Sequence, residues 1–487
     1  MAIDKASKVP MLSQVYQSLR SRILSGELEA GCKLPSSRAL ASQLGVSRNI
    51  VLEAYERLLA EGIVVARTGA GTFVAKGAAL PAEDSVPSPS PAPPPVWARP
   101  AVPLDETEPG GAISFRTGSP AMDRFPRNAW SDALRRVCRE APDSLFGYGD
   151  PAGEPELRAA LAAYLRHSRG VETTPDRIVV TGGAIQALGL AAQLLLSPGD
   201  DAIVERPTIA EVRSLIGRTG ARVHGVPVDE AGLRTSMLPD GIRPKLIYVT
   251  PSHQFPLGGA MPIPRRIELL AYAARSGGYV LEDDYDSEFI YDAPAVHSLH
   301  SLAPERVLYI GTFSKILSPA LRLGYIVLPA AWVPACTRLK RLADYENSRP
   351  EQLALAGFLE RRTLHAHVHR MRKLYRRRRQ MLVDSLREGL GDRLRVLGRA
   401  AGLHIAVRLA APPADLQARL REAGVEAALI GADCLLLGYG HLQEDAIREG
   451  AARLARALGS AGLPPRTGAK RAAAQDEEAV PHASAHV

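Results

Sequence analysis

Apolar residues recur along this chain with two different periods. Near the start the period is helical: Leu12, Val15, Leu19, Ile23 and Leu24 share one face of residues 11–25, and Gly26 predicts the stop. Leu34-Pro35-Ser36-Ser37 predicts a turn and an N-cap for a short helix over 38–44. Gly45 interrupts that helix, Ser47 is placed to cap the next, and Val51, Tyr55, Leu58 and Leu59 form the next stripe. Two helices joined by a glycine-containing turn predict a helix-turn-helix. Ile63-Val64-Val65 and Thr72-Phe73-Val74, on either side of Gly69-Ala70-Gly71, predict a hairpin wing behind it. Farther on the pattern changes. Ile178-Val179-Val180, Tyr279-Val280-Leu281 and Val307 to Ile310 are short continuous apolar runs, as expected of strands buried on both faces. Thr181 to Ala184 predicts a turn, and 185–196 a helix.

These patterns divide the chain. Residues 9–76 form the predicted helical and winged domain, and 77–112 a proline-rich linker (PSPSPAPPPVWARP) with few aliphatics. A second domain is expected over 113–460. The tail, 461–487, is rich in alanine, proline and charge, which predicts disorder. At 487 residues more than one domain is expected, and a hydrophobic content of 46% suffices for globular cores. The net charge of +8 permits an acidic partner such as nucleic acid. Four cysteines without C-x-x-C pairing point to a reducing compartment and no zinc site. No basic-then-apolar leader opens the chain and no apolar run is long enough to span a bilayer, so a cytoplasmic protein is expected.

The densest chemistry lies between Leu281 and Tyr325. One apolar run ends in L-E-D-D-Y-D-S-E-F, delivering carboxylates to the edge of a sheet where α/β folds place ligands. The next hands over to G-T-F-S-K-I-L-S-P-A-L-R-L-G-Y, with Arg322 seven residues after Lys315. This acid-tyrosine signature, then T-x-S-K and a downstream arginine, resembles the lysine segment of fold-type I pyridoxal-phosphate enzymes, the aminotransferase superfamily. The similarity is greatest to the aminotransferase-like half of the MocR-type regulators of the GntR family.

The resemblance implies pyridoxal 5'-phosphate as cofactor. Lys315 would carry it as a Schiff base, which requires an amine that burial keeps partly deprotonated. Asp283 would hold the pyridinium nitrogen protonated, Tyr285 would bond the ring oxygen, and Thr312 and Arg322 would hold phosphate oxygens. Gly183 and Ala184, at a helix N-terminus with free N–H groups, match the phosphate cup, with Gln186 just after it. Gly182 replaces a hydroxyl residue common there. Tyr148, in the loop Leu145 to Gly153, matches a tyrosine that reaches the phosphate of the neighbouring subunit; packing in the interface is the other reading of it.

The segment L-P-S-S-R-A-L-A-S-Q-L-G-V-S-R-N-I-V-L-E-A-Y-E-R-L, followed by R-T-G-A-G-T-F-V, is similar to the winged-helix domain of GntR regulators. On the matching positions Arg38 and Arg48 are expected to contact DNA, with Ser47 and Asn49 beside them, and Gly69 and Gly71 would let the wing approach the phosphates. Ile50 stands where a threonine is usual. A small helical protein-interaction module with surface arginines is the alternative reading of this domain.

Several positions depart from the superfamily. Ile209 stands where the regulators carry a ring-stacking tyrosine, and Phe255 where aminotransferases place an asparagine. His253 reads as structural in preference to catalytic. Asp433 stands at the position that matches the arginine with which aminotransferases clamp a substrate carboxylate; an acid there predicts repulsion of amino acids and attraction of amines. Residues 361–380 (RRTLHAHVHRMRKLYRRRRQ) predict one long basic helix, either a solvated face with ion pairs or a second DNA-contacting patch over 370–379. His365, His367 and His369 alternate, which splits them between helix faces, so no metal site is expected.

The whole-chain resemblance implies an α/β main domain of fold-type I on a mostly parallel sheet, a small C-terminal α+β subdomain and an N-terminal winged helix-turn-helix. It implies a homodimeric, promoter-binding transcription regulator that senses pyridoxal phosphate, or an amine or amino acid through it. A working aminotransferase with a DNA-binding arm is the second reading, and a cofactor-free scaffold the third.

Overall fold

The computed structural model describes residues 3–4, 7–79, 111–292 and 297–459. Most of the expected linker and the whole of the expected tail lie outside these residues. The chain forms two compact units, Met1–Pro94 and Pro95–Val487.

In the first unit, α1 (Met11–Leu24), α2 (Ser37–Leu44) and α3 (Arg48–Ala60) precede a hairpin of β1 (Val64–Arg67) and β2 (Gly71–Val74). Val15, Leu19 and Ile23 of α1 are buried against Val51, Tyr55 and Leu58 of α3, as their spacing predicts. Fully burying each such aliphatic side chain contributes about 1.5–3 kcal/mol. Ser36 caps α2, its hydroxyl accepting from the Ala39 N–H at 3.2 Å. Ser47 occupies the N-cap position of α3, but its side chain makes no capping hydrogen bond. Gly45 has φ +63°, the left-handed turn between the two helices that a Cβ disfavours. The wing pairs Val64 with Val74 and Arg67 with Gly71.

The second unit opens with β3 (Ile113–Ser114), α4 (Arg127–Glu140) and α5 (Pro155–Arg169). Then come β4 (Ile178–Thr181), α6 (Ala184–Leu195), β5 (Asp201–Arg206), α7 (Ala210–Gly217), β6 (Arg222–Asp229) and β7 (Gly232–Leu233). They are followed by β8 (Pro244–Val249), α8 (Ile263–Ser276), β9 (Tyr279–Asp284), β10 (Val307–Thr312) and β11 (Gly324–Val327). The eight strands form one sheet in the order β4-β11-β10-β9-β8-β5-β6-β7. β10, β9, β8, β5 and β6 run parallel, and β11 and β7 run against their neighbours. This is the mostly parallel sheet expected, and the apolar runs are buried because helices cover both faces.

Side chains alternate across the sheet. On β9, Leu281 packs with α6 on one face and Val280 with α8 on the other. The acids that follow close the strand at its carboxyl edge: β9 runs through Asp284. They therefore inherit the alternation, Asp283 falling on the Leu281 face and Glu282 and Asp284 on the opposite one.

Helices α9 (Val333–Asp344), α10 (Arg349–Glu360) and α11 (Thr363–Leu390) lead to the C-terminal part. The long basic helix expected over 361–380 forms as α11, starting two residues later. Arg362 has φ +57°, which ends one helix and starts another, and α11 then continues ten residues past 380. The C-terminal part contains β12 (Leu394–Leu397), β13 (His404–Leu409), α12 (Leu416–Glu422), β14 (Val425–Glu426), β15 (Ala428–Ile430), β16 (Cys434–Gly438) and α13 (Glu444–Ala457). Its antiparallel sheet has the order β12-β13-β16-β15, and β14 pairs with β3. Among the described residues no helix is long and apolar enough to cross a membrane.

Candidate functional site

The carboxyl ends of β8, β9 and β10 open into a cavity of about 390 Å³. Six of the residues singled out in the sequence line it: Ala184, Asp283, Tyr285, Thr312, Lys315 and Arg322. Gly183 adjoins them with φ +93°, and a Cβ there would stand 3.5 Å from the Arg322 guanidinium. The β4–α6 turn thus brings backbone N–H groups and a cation to one corner, an arrangement suited to an anion.

At the other end, Tyr248 donates to Oδ2 of Asp283 at 2.8 Å. Oδ1 of Asp283 is buried and has no partner. Burial pushes this carboxyl up to about 6, while the Tyr248 hydrogen bond pulls it down. Lys315 Nζ donates to the Gly118 carbonyl at 2.7 Å. Burial lowers the amine from its ordinary range, opposed by the nearby Asp286 and Asp283. A partly desolvated lysine facing an unsatisfied carboxylate across a cavity is a site built for a polar ligand.

Tyr285 is held by its own chain, donating to the His253 carbonyl at 2.9 Å. His253 is buried and bonds the Asp286 carboxylate through Nδ1 at 2.9 Å, the structural role expected of it. Thr312 Oγ1 accepts from the Ser314 N–H at 3.2 Å. Ile209 and Phe255, the two departures from the superfamily, both line the cavity. Tyr148 does not: it is 85% exposed and lies against Tyr345, ring centroids 5.1 Å apart.

Asp433 is a correction. It lies in the turn before β16, pairs with Arg408 at 3.3 Å, and is not among the residues lining the cavity. Conversely, Tyr248, Thr250, Asp286 and His404 line it without having been singled out for it. Burial pushes His404 down to about 3, so it is neutral, and its Nε2 donates to the Pro256 carbonyl at 3.2 Å. Behind the cavity Glu205 is fully buried: Oε2 accepts from Thr250 at 2.6 Å, and Oε1 has no partner.

The arginines of α11 are largely engaged within the chain. Arg372 donates to the Glu288 carbonyl at 2.8 Å, Arg378 to that of Gly440 at 2.6 Å, and Arg377 binds Glu444 at 2.6 Å. His367 is buried on the Ile316 carbonyl, whereas His365 and His369 are exposed. Among the described residues no cluster able to hold a metal ion occurs.

In the first unit Arg38, Ser47, Arg48 and Asn49 are exposed around the amino-terminal ends of α2 and α3. Arg48 donates to the Ser37 hydroxyl at 3.3 Å, tying the two helices together. Gly69 (φ +75°) and Gly71 (φ +110°) shape the wing tip. Beside it Arg67 and Lys33 lie over the Phe73 ring, 4.7 and 5.9 Å from its centroid. Lys33 had no sequence signal; it reaches the wing through an isolated bridge to Phe73.

Both units match described families. Residues 112–431 match aminotransferase class I and II, and residues 12–74 match the bacterial regulatory proteins of the gntR family. The probable rhizopine catabolism regulatory protein MocR of Rhizobium meliloti is 37% identical over 84% of this chain and 83% of its own. The pyridoxine biosynthesis transcriptional regulator PdxR of Corynebacterium glutamicum is 32% identical over 92% and 96%. Among solved structures, the kynurenine aminotransferase of Pyrococcus horikoshii superimposes with a TM-score of 0.67 at 27% identity, covering 71% of this chain and 90% of that one. The α-aminoadipate aminotransferase LysN of Thermus thermophilus gives 0.66 at 28%, covering 72% and 92%. The chain therefore belongs to the MocR-type transcription regulators of the GntR family, in which a helix-turn-helix domain is joined to an aminotransferase class I and II domain.

Proposed function

We propose that this regulator binds pyridoxal 5'-phosphate in the Lys315 cavity and uses it to sense a small amine, an amino acid or the vitamer itself. The observation that carries the reading is Asp283: a buried carboxylate whose Oδ1 lacks a partner, in the same cavity as a desolvated lysine. An unsatisfied buried acceptor costs about 1–3 kcal/mol, which a protonated ring nitrogen would offset. Asp283 would hold that nitrogen, Lys315 the aldehyde carbon, and Gly183, Ala184, Thr312 and Arg322 the phosphate. Tyr285 would bond the ring oxygen, and Ile209 would cover the ring without offering a π face. When bound, the cofactor supplies an electrophilic carbon and an electron sink.

Arg322 is the only arginine among the described residues lining the cavity. With it on the phosphate, no second guanidinium among the described residues lines the cavity to meet a substrate carboxylate. That favours sensing over sustained transamination. Tyr148, exposed on its own chain, would complete the phosphate site of a second copy in a homodimer. Arg38, Arg48, Ser47 and Asn49 would read a promoter in the cytoplasm, with Gly69 and Gly71 at the phosphates.

The test is borohydride reduction of the purified, cofactor-loaded protein followed by peptide mapping. The label is expected on Lys315 and absent from Lys315→Ala. Label on another lysine overturns the assignment. A steady-state assay with amino acids and 2-oxoglutarate separates the two activities, turnover near ~1 s⁻¹ marking an ordinary enzyme.

A further inference from the structure

A second cavity, of about 540 Å³, lies on the other side of the segment that carries Asp283, between α5 and the start of α11. We infer that it is a separate site for a free amino acid with an aliphatic side chain, bound without the cofactor.

The segment 283–288 is a shared wall. Asp283 and Tyr285 line the first cavity, whereas Ser287 and Glu288 line the second. Between them Asp284, on the opposite face of β9 from Asp283, binds Arg169 at 2.6 Å, and Arg169 lines the second cavity. The volume is in the range of small-molecule sites, ~300–1,000 Å³.

The lining combines carboxylates, guanidinium groups and apolar side chains. Two acids line the cavity: Glu360, which is exposed, and Glu288, one oxygen of which accepts from Tyr164 at 2.7 Å. Burial pushes Glu288 up to about 7, with Asp284 adding to the effect and Arg169 opposing it, so an arriving ammonium would gain from pairing with it. The cations are Arg169, Arg362 and Arg372. Arg372 uses Nε on the Glu288 carbonyl, which leaves its two terminal nitrogens for a carboxylate. Arg362 and His365 are exposed where the amino-terminal turn of α11 adds its positive dipole end. Leu359, Leu364 and Val368 supply the apolar side.

This composition is what the first cavity lacks. The second is lined by three arginines, the first by Arg322 alone. That contrast rests on the assignment of Arg322 to phosphate under the proposed function; the mixed-charge lining of the second cavity does not. Because Asp283 and Glu288 lie on one short segment, occupancy of either cavity is expected to change affinity at the other, and reciprocally.

The experiment is calorimetric titration of the full chain, as cofactor-free wild type and as Lys315→Ala, with L-leucine. L-Leucinamide, lacking the carboxylate, and 4-methylpentanoate, lacking the amine, are the controls. Saturable L-leucine binding to both proteins is expected, at least about tenfold weaker for either control. Glu288→Gln and Arg362→Asn, the latter an exposed position where asparagine tolerates φ +57°, should each weaken L-leucine at least about fivefold. Both should retain the cofactor's absorption band. The inference falls if L-leucine, L-valine and L-methionine all fail to bind, or if neither variant changes their affinity. It also falls if inorganic phosphate binds as tightly, which would mark a simple anion site. If wild type supplied with pyridoxal phosphate forms no Lys315 adduct but still binds L-leucine, this site stands and the proposed function is overturned instead. A normal adduct with no leucine binding does the reverse.

Discussion

Tyr248 donates its hydroxyl to Oδ2 of Asp283 at 2.8 Å, and the other oxygen of that carboxylate is buried without a partner. The pair comes from adjacent parallel strands, β8 and β9, so the sheet itself sets their separation. Only one side of Asp283 is satisfied by the protein, and the free side is the one available to a cofactor.

A pH dependence of cofactor binding follows. Asp283 must be ionised to hold a protonated ring nitrogen, and burial has pushed it up to about 6. Affinity for pyridoxal phosphate should therefore rise as pH rises through about 6 and level off above it. Tyr248→Phe removes a hydrogen bond that lowers Asp283, so its midpoint should move to higher pH. Asp283→Asn should flatten the profile and weaken binding at neutral pH by at least about tenfold, equivalent to ~1.4 kcal/mol. Absorbance titrations across pH check this; an unchanged profile in Asp283→Asn would remove Asp283 from the site.

Glu205 gives a stability prediction of definite sign. Burial raises its carboxyl from 4.5 to about 7, so between those values the folded chain keeps a proton that the unfolded chain has released. Its contribution to stability is full below about pH 4.5 and is lost as pH rises towards 7. Glutamine is neutral throughout. Glu205→Gln should gain on the wild type by on the order of 3 kcal/mol across that window, and by nothing further above it. Urea unfolding at several pH values, with cofactor-free protein, measures the difference; a pH-independent offset would contradict it.

What the sequence revealed of the site was what lies in one stretch. Asp283, Tyr285, Thr312, Lys315 and Arg322 were visible because two successive strands and their loops carry them. Tyr248 and His404 were not assigned to the cavity, because only the sheet order and the packing of β13 bring them to it; Asp286 lies in the same stretch, but nothing in the motif singles it out. Asp433 was misplaced by counting back from Gly438 along the chain: β16 begins at Cys434, leaving Asp433 in the turn outside. The helix break at Arg362 was hidden because neither glycine nor proline marks it, although the backbone there is left-handed.

Asp433 accordingly loses the role of selecting against carboxylates. Its partner Arg408 and itself are each about half exposed, and such pairs contribute roughly 0–1 kcal/mol. Asp433→Ala should change stability by less than about 1 kcal/mol. Asp433→Arg should leave amino-acid binding at the Lys315 cavity unaltered. A gain of amino-acid affinity in that variant, read by spectral titration, would return the residue to the site.

The residues proposed to face DNA divide into two kinds with different signatures. Arg48 is the first residue of α3 and exposed, where a reading helix would meet base edges, and its Nε is tied to Ser37. Its terminal nitrogens remain for a base, and a bidentate arginine–guanine pair is worth about 1–3 kcal/mol of discrimination. Arg48→Ala should weaken cognate promoter binding roughly 5- to 150-fold and unrelated DNA much less. Arg67 and Lys33 instead flank the wing tip over Phe73, where no reading element lies and the phosphate backbone is the natural partner. Arg67→Ala should weaken cognate and unrelated DNA alike and lower the salt-dependence slope by about 1. Competition binding assays at several salt concentrations separate the two. Equal loss on both DNAs for Arg48→Ala would move the reading role away from the start of α3.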